Sequence, residues 1–328
     1  MTKDFTHDDI PADPRVAVRT TDPDKETDPL APAPESPTDG RQTAFIKAPG
    51  TKRFVRRFFS NKLGVFSASL LLIIILASVF APLIAPYDPD AVDVANRLSG
   101  STPEHWLGTD GLGRDTLTRL LYAGRISLLA AGTAVGIAIV VGVPLGMLAG
   151  FYGGKIDWLF SRAADVLMTF PAVLLAMAII AARGPGLQTA MYALGIVYAP
   201  RLFRVVRSSA LAVRAETYIE ASESIGTPVM RIIRTRILPN ILSPLLVQIS
   251  LLLAAALLAE ASLSLLGLGV VPPTPSWGNM LGVGFPDIRT APLLVVYPGI
   301  AIALTTISFN LLGDALRDSF GREVRKGD

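Results

Sequence analysis

The residues with chemical reach are few, and most are carboxylates and arginines set among apolar neighbours. Glu260 falls inside a long apolar run, and an ionisable group in such a run is a functional candidate by default. It lies near one end of that run, so it is equally readable as a structural acid reaching water or an arginine of an outer loop. Asp165 follows Arg162 by three residues, close enough to pair on one helical face. It is therefore a candidate for a transport path or gate, like Glu260, or else half of a structural pair. Arg201, Arg204 and Arg207 recur every third residue after Pro200. Three are too few for a voltage sensor, and they read as side chains snorkelling to an interface. There is no cysteine, so disulfides and thiolate metal sites are excluded. His7 and His105 sit in unrelated segments and read as ordinary surface residues. Gly154 and Lys155 are followed by Ile156 and lack the upstream glycine of a phosphate-binding loop. No catalytic residue, metal ligand or nucleotide site is assigned.

The elements that must position these groups are hydrophobic helices. The chain has 328 residues, 51% hydrophobic and 17% charged, with a net charge of +3. A soluble domain would carry roughly 25% charged residues. The deficit is concentrated in uncharged stretches that read as membrane spans. Six are expected, at about 65–85, 127–151, 159–182, 187–206, 241–268 and 292–313. Each can cross a hydrocarbon core of about 30 Å, as a helix, because lipid leaves the backbone no other partner. The expected fold class is all-α: a polytopic membrane protein with six transmembrane helices and a polar helical loop. In the second span Gly132, Gly136, Gly142, Gly146 and Gly150 permit close helix contact, and Pro144 can kink it.

The segments around the spans differ in kind. Residues 1–50, rich in Pro, Asp and Thr, read as a disordered tail. They are not a signal peptide, because the first apolar run starts near Val65. Residues 51–64 interleave Lys52, Arg53, Arg56, Arg57 and Lys62 with Phe54, Val55, Phe58 and Phe59. That pattern suits an interfacial segment on an anionic leaflet; a nucleic-acid reading is set aside because a span follows at once. Residues 65–126 hold the first span and an outer loop, and 127–314 the core with a polar loop at 208–240. Residues 315–328 are a basic tail. Lysines and arginines cluster before the first span, around Lys155 and Arg162, in the 208–240 loop and in the tail, which places both termini inside.

The 208–240 loop is helix-favouring. Residues 214–225 predict a short helix, stopped at Gly226. Thr227 and Pro228 predict a restart as N-cap and first helical residue. Val229, Ile232 and Ile233 form an apolar stripe, and Pro239 is expected to end this second helix. By physics alone the loop is either an amphipathic connector or a rigid bracket that takes force from a soluble partner.

The residues also resemble a known family. Glu220, Ala221 and Ser222, then Gly226, then Ile237, Leu238 and Pro239 look like the EAA motif of ATP-binding-cassette (ABC) importer permeases, with Ser222 in place of an alanine. The stretch from Trp106 through Asp110 and Arg114 to Asp115 is similar to the second permease of dipeptide and oligopeptide importers. So are Glu260–Gly269, Pro272–Gly278 and Asn310–Asp318. The likeness covers about residues 52–320. It implies a type I importer permease fold and no enzymatic activity in this chain. Glu220, Ala221, Ser222, Gly226 and Pro239 would form a cytoplasmic coupling helix seated on an ATPase. Trp106, Asp110, Arg114 and Asp115 would form an outer segment near a gate or a docking binding protein. The implied partners are a homologous permease, two ABC ATPases that bind ATP and Mg, and an extracytoplasmic substrate-binding protein, in the inner membrane of a prokaryote. The implied cargo is dipeptides or oligopeptides, with nickel complexes, glutathione or opines as alternatives on the same machinery. A different-class alternative, an ion-coupled secondary transporter, would leave the Glu220–Pro239 loop without a task.

Overall fold

A computed structural model describes residues 51–321, with side chains from 54 to 320. The expectations for residues 1–50 and for the tail beyond 321 lie outside the described residues. Among the described residues the chain is helical, with one isolated β-bridge between Thr109 and Asp115. The elements run α1 (Thr51–Ser60), α2 (Lys62–Val79), α3 (Ala81–Ile84), α4 (Thr116–Tyr152), α5 (Gly154–Thr169), α6 (Ala172–Arg183) and α7 (Leu187–Arg214). They continue with α8 (Thr217–Ser224), α9 (Val229–Ile232), α10 (Leu238–Leu265), α11 (Trp277–Gly284) and α12 (Leu293–Gly321).

Among the described residues, α2, α4, α12 and the continuous stretch Val229–Leu265 are each long and apolar enough to cross a membrane. The expected third span is not one straight helix. It is α5 and α6, bent by 91° at Phe170 and Pro171. Proline disfavours helical geometry in the residue before it, and Phe170 is extended, at φ −86° and ψ 139°. The expected fourth span opens α7, which has 28 residues. Its second half carries Arg201, Arg204, Arg207 and Arg214, so its length suffices but its composition is mixed. The expected count of six thus becomes four unbroken apolar helices, one bent pair and one long helix with a polar half.

Glycines set the closest helix crossing. A Cβ on Gly142 would lie 2.7 Å from the Ala199 carbonyl oxygen, and one on Gly146 2.8 Å from that of Phe203. A Cβ on Gly150 would lie 2.7 Å from Ala210 Cβ and 2.8 Å from the Arg207 carbonyl oxygen. These three seat α4 against α7. Among the described residues Gly132 and Gly136 have no such neighbour within 4 Å, so only the second half of the glycine ladder packs within this chain. Pro144 lies inside α4 without ending it. The main core joins α4, α7 and α10 through Ala134, Ala138, Leu194, Leu202, Leu252 and Leu257. Ile219, Ile232 and Ile237, from the polar loop, are buried in that same core.

Candidate functional site

The 208–240 loop is a bracket with a buried inner face and an open outer one. In α8, Ile219 is 1% exposed and Ser222 3%, while Glu220, Ala221, Glu223 and Ser224 face outward. Helix α8 ends as a Schellman motif. The Thr227 amide donates to the Ser222 carbonyl at 3.0 Å, and the Gly226 amide to that of Glu223 at 2.9 Å. Gly226 has φ +74°, and a Cβ there would meet nothing within 4 Å. The left-handed conformation, not crowding within the chain, is what requires glycine. Ile225 and Met230 stand 81% and 63% exposed beside it, two apolar side chains on a polar shoulder.

Two expectations for the loop are corrected. Thr227 and Pro228 do not act as N-cap and first helical residue; Pro228 itself caps α9, with ψ 134°. Nor does Pro239 end the second helix. Helix α9 passes through a π-turn at Ile233–Ile237 into α10, and Pro239 sits in the first turn of α10. The wider turn shifts the hydrogen-bond register just before the proline, so the missing amide is absorbed where the ladder is already offset.

Tyr218 ties the two halves of the bracket together. Its hydroxyl accepts from Asn240 Nδ2 at 3.1 Å, and the Arg236 guanidinium lies 5.8 Å from its ring centre. Burial, and after it the nearby Glu216 carboxylate, push the Tyr218 phenol above its ordinary value, against the pull of Arg236. It therefore remains a neutral hydroxyl at physiological pH.

The Trp106–Asp115 segment is mostly spent on its own structure. Asp110 accepts from the amides of Leu112 at 2.8 Å and Arg114 at 3.0 Å, and from Arg114 Nε at 2.8 Å. Asp115 caps α4 by accepting the Thr118 amide at 2.7 Å. Its other oxygen is 2.9 Å from His105 Nδ1, so His105 is not the free surface residue expected. Arg119, in the first turn of α4, is 3% exposed and donates to the Pro89 and Pro273 carbonyls. It fastens the loop after α3 to the segment before α11. Of the four candidates here, Trp106 alone presents a large surface, 69% exposed.

Glu260 reaches neither water nor an arginine. It is 1% exposed, and its Oε1 accepts from Ser264 Oγ at 2.7 Å. The Ser127 and Ser276 hydroxyls also face the carboxyl, although among the described residues its Oε2 has no partner at hydrogen-bonding geometry. Each of these serines is pinned by an amide: Ser127 accepts from Trp277, Ser276 from Asn279 and Ser264 from Val270. The carboxyl therefore sits where α4, α10 and the start of α11 converge. The motif containing Glu260 was legible, but its serine partners are spread over 150 residues and no local pattern joins them.

Asp165 pairs with Arg204 at 2.5 Å, not with Arg162. A second bridge, Asp157 with Arg207, runs beside it. The arginines read as snorkelling thus reach across to α5, and Arg201 lies 5.5 Å from the ring centre of its own helix's Tyr198. The Asp165–Arg204 side chains remain about half exposed. Among the described residues no group of three or more His, Asp or Glu could hold a metal ion.

Several helices long and apolar enough to cross a membrane, with a polar bracket anchored between two of them, define a multi-pass membrane protein. The chain belongs to the family of binding-protein-dependent transport system inner membrane components, whose model matches residues 142–326. The N-terminal transmembrane domain of oligopeptide transport permease C matches residues 51–102. The chain is 40% identical over 296 residues to the dipeptide transport system permease protein DppC of Alkalihalophilus pseudofirmus, covering 90% of this chain and 97% of that one. It is 38% identical over 275 residues to the glutathione transport system permease protein GsiD of Pectobacterium atrosepticum, covering 84% and 91%. A solved structure of the inward-facing MetNI methionine ABC transporter is similar at TM-score 0.48 and 21% identity, over 60% of this chain and 96% of that one. By its family and its curated relatives the chain is a permease subunit of an ABC importer and not an enzyme.

Proposed function

We propose that this permease forms half of a translocation path for dipeptides or oligopeptides, paired with a homologous permease. Two cytoplasmic ATPases would bind ATP and Mg and drive it, and an extracytoplasmic binding protein would deliver the cargo. The observation that carries the coupling role is the bracket: Glu220, Ala221 and Gly226 outward, Ile219 and Ser222 buried behind them. A carboxylate, a small residue and an open glycine suit close approach of a partner groove, and Glu220 can pair with a partner arginine. Ile225 and Met230 supply apolar contact beside them. Closure of the ATPases would push this shoulder, and the buried isoleucines would pass the displacement into the core. The basic clusters support cytoplasmic termini and a cytoplasmic bracket. Names of relatives support peptide cargo, with a glutathione-like tripeptide as the alternative within the same class.

The test is reconstitution of the whole complex with and without its ATPases, against dipeptides, longer peptides, glutathione and nickel complexes. ATP-dependent uptake of peptides is expected. Uptake that persists without the ATPases would overturn the coupling reading, and uptake of nickel complexes alone would overturn the cargo.

A further inference from the structure

A polar cleft of about 360 Å³ lies where α1, the start of α2 and the end of α12 meet, lined by Arg57, Ser60, Asn61, Lys62, Asp318 and Ser319. We propose that it binds the phosphodiester of an anionic phospholipid carrying a single charge, of the phosphatidylglycerol type.

The cleft is built and not incidental. Gly64 brings α2 against α12 so closely that a Cβ there would be 2.6 Å from Ala315 Cβ. The Phe54 ring stacks on Phe320 with centroids 4.6 Å apart, which fixes α1 across the end of α12. Within this frame Arg57 is partly buried and lines the cleft, and a phosphate oxygen is the acceptor whose geometry a guanidinium matches best. Lys62 adds a second cation. The amides that open α2 add donors which no carbonyl of that helix can satisfy. Asn61 is committed to capping, accepting the Gly64 amide at 3.2 Å, and so helps to hold the entrance in shape.

Charge selects among phospholipids. Among the described residues of the lining, two cations stand against one acid, Asp318, an excess of one positive charge, which one phosphodiester neutralises. A headgroup bearing a further ammonium leaves that excess in place, and a second phosphate would meet Asp318. A lipid is favoured over a free phosphate by what flanks the cleft. Phe59, Leu63 and Phe66 are 68%, 63% and 61% exposed, an apolar margin suited to acyl chains at the point where α2 begins an apolar span. The inference rests on the proposed placing of α1 at the membrane surface, and it is independent of the cargo.

The test uses the complete complex, extracted in mild detergent after incubation in vesicles of equal phosphatidylglycerol and phosphatidylethanolamine, with bound lipid read by native mass spectrometry. Phosphatidylglycerol should be retained on the order of tenfold over phosphatidylethanolamine. Arg57→Gln and Lys62→Gln should each lower its retention about tenfold, the equivalent of one charge-assisted hydrogen bond. Arg57→Lys keeps the charge and loses the planar fork, so it should retain less lipid than the unaltered protein; Lys62→Gln serves if Arg57→Gln does not assemble. Arg56→Gln removes the same charge from the same helix outside the cleft and should change retention less than about twofold. Equal retention of both lipids, or an equal loss in Arg56→Gln, would overturn the site in favour of diffuse surface attraction. Displacement of the lipid by millimolar glycerol phosphate would overturn the commitment to a lipid. ATP-driven uptake, measured on the same preparations, shows separately whether the permease reading stands.

Discussion

Gly226 separates conformational strain from partner contact. Its φ of +74° requires the left-handed region, and the space a Cβ would enter is open to 4 Å. Gly226→Ala therefore adds strain and no clash within the chain, roughly 1–2 kcal/mol. That is small beside a folding free energy of about 5–15 kcal/mol, so the variant should insert and assemble. Asparagine tolerates the left-handed region better than alanine does but carries a larger side chain into the same space. If the shoulder at Gly226 seats against an ATPase, Gly226→Asn should lose more transport than Gly226→Ala despite the milder strain. Gly226→Asp, which adds a charge beside Glu223, should abolish uptake with the protein still in the membrane. The measurements are ATP-driven uptake in proteoliposomes and thermal unfolding of the detergent-solubilised complex. Transport loss that follows strain, with Ala worse than Asn, would refute close seating at this residue. So would normal uptake in Gly226→Asp.

Other sites discriminate structure from path. Asp165→Ala removes a half-exposed ion pair, which is worth at most about 1 kcal/mol, so its unfolding temperature should barely move; a transport loss of tenfold or more would place this pair on the path. Glu260→Ala should destabilise the protein by about 2–5 kcal/mol, through a cavity and orphaned serine hydroxyls. Glu260→Gln should recover most of that loss, and equal stability of the two variants in a thermal scan would refute the serine-cluster account. Gly146→Val forces a side chain into the Phe203 backbone and should sharply reduce assembled protein in membranes, whereas Gly132→Val, with no neighbour within 4 Å, should not.

Much of the fold was legible because membrane spans are written in composition. The apolar runs at 65–85, 127–151, 241–268 and 292–313 all correspond to helices. The bend at Phe170 was missed because hydropathy averages over a proline whose effect is purely local. Gly226 was legible because a glycine between two helix-favouring stretches has one common use. Pro239 misled for a comparable reason. Proline stops an ordinary helix, but here it follows a π-turn, and no residue pattern announces one. Pairings across distance were the least visible. Arg162 stands nearer in sequence to Asp165 than Arg204 does, yet Arg204 wins because α5 lies against α7. The Glu260 acid could be found, while its partners on α4 and before α11 became evident only with the packing.

The π-turn has a mechanical consequence that joins two sites the sequence kept apart. Because Pro239 does not end the helix, Val229–Leu265 is continuous over 37 residues, a rod of about 54 Å at 1.5 Å per residue. One end carries Met230 on the open shoulder, and Glu260 lies close to the other, bonded to Ser264 and facing Ser127 of α4. On the proposed coupling, a displacement of the bracket would tilt this rod and load the junction of α4, α10 and α11. The π-turn at Ile233–Ile237 and Pro244 are the places where the rod can yield instead of transmitting. A substitution that straightens the turn should therefore alter coupling without touching either the ATPase surface or the path. Deleting Thr235, exposed and within the π-turn, would return the ladder to an ordinary register. ATP hydrolysis by the assembled complex should then persist while uptake per ATP falls. An unchanged ratio would mean that force leaves the bracket by another route, through α7.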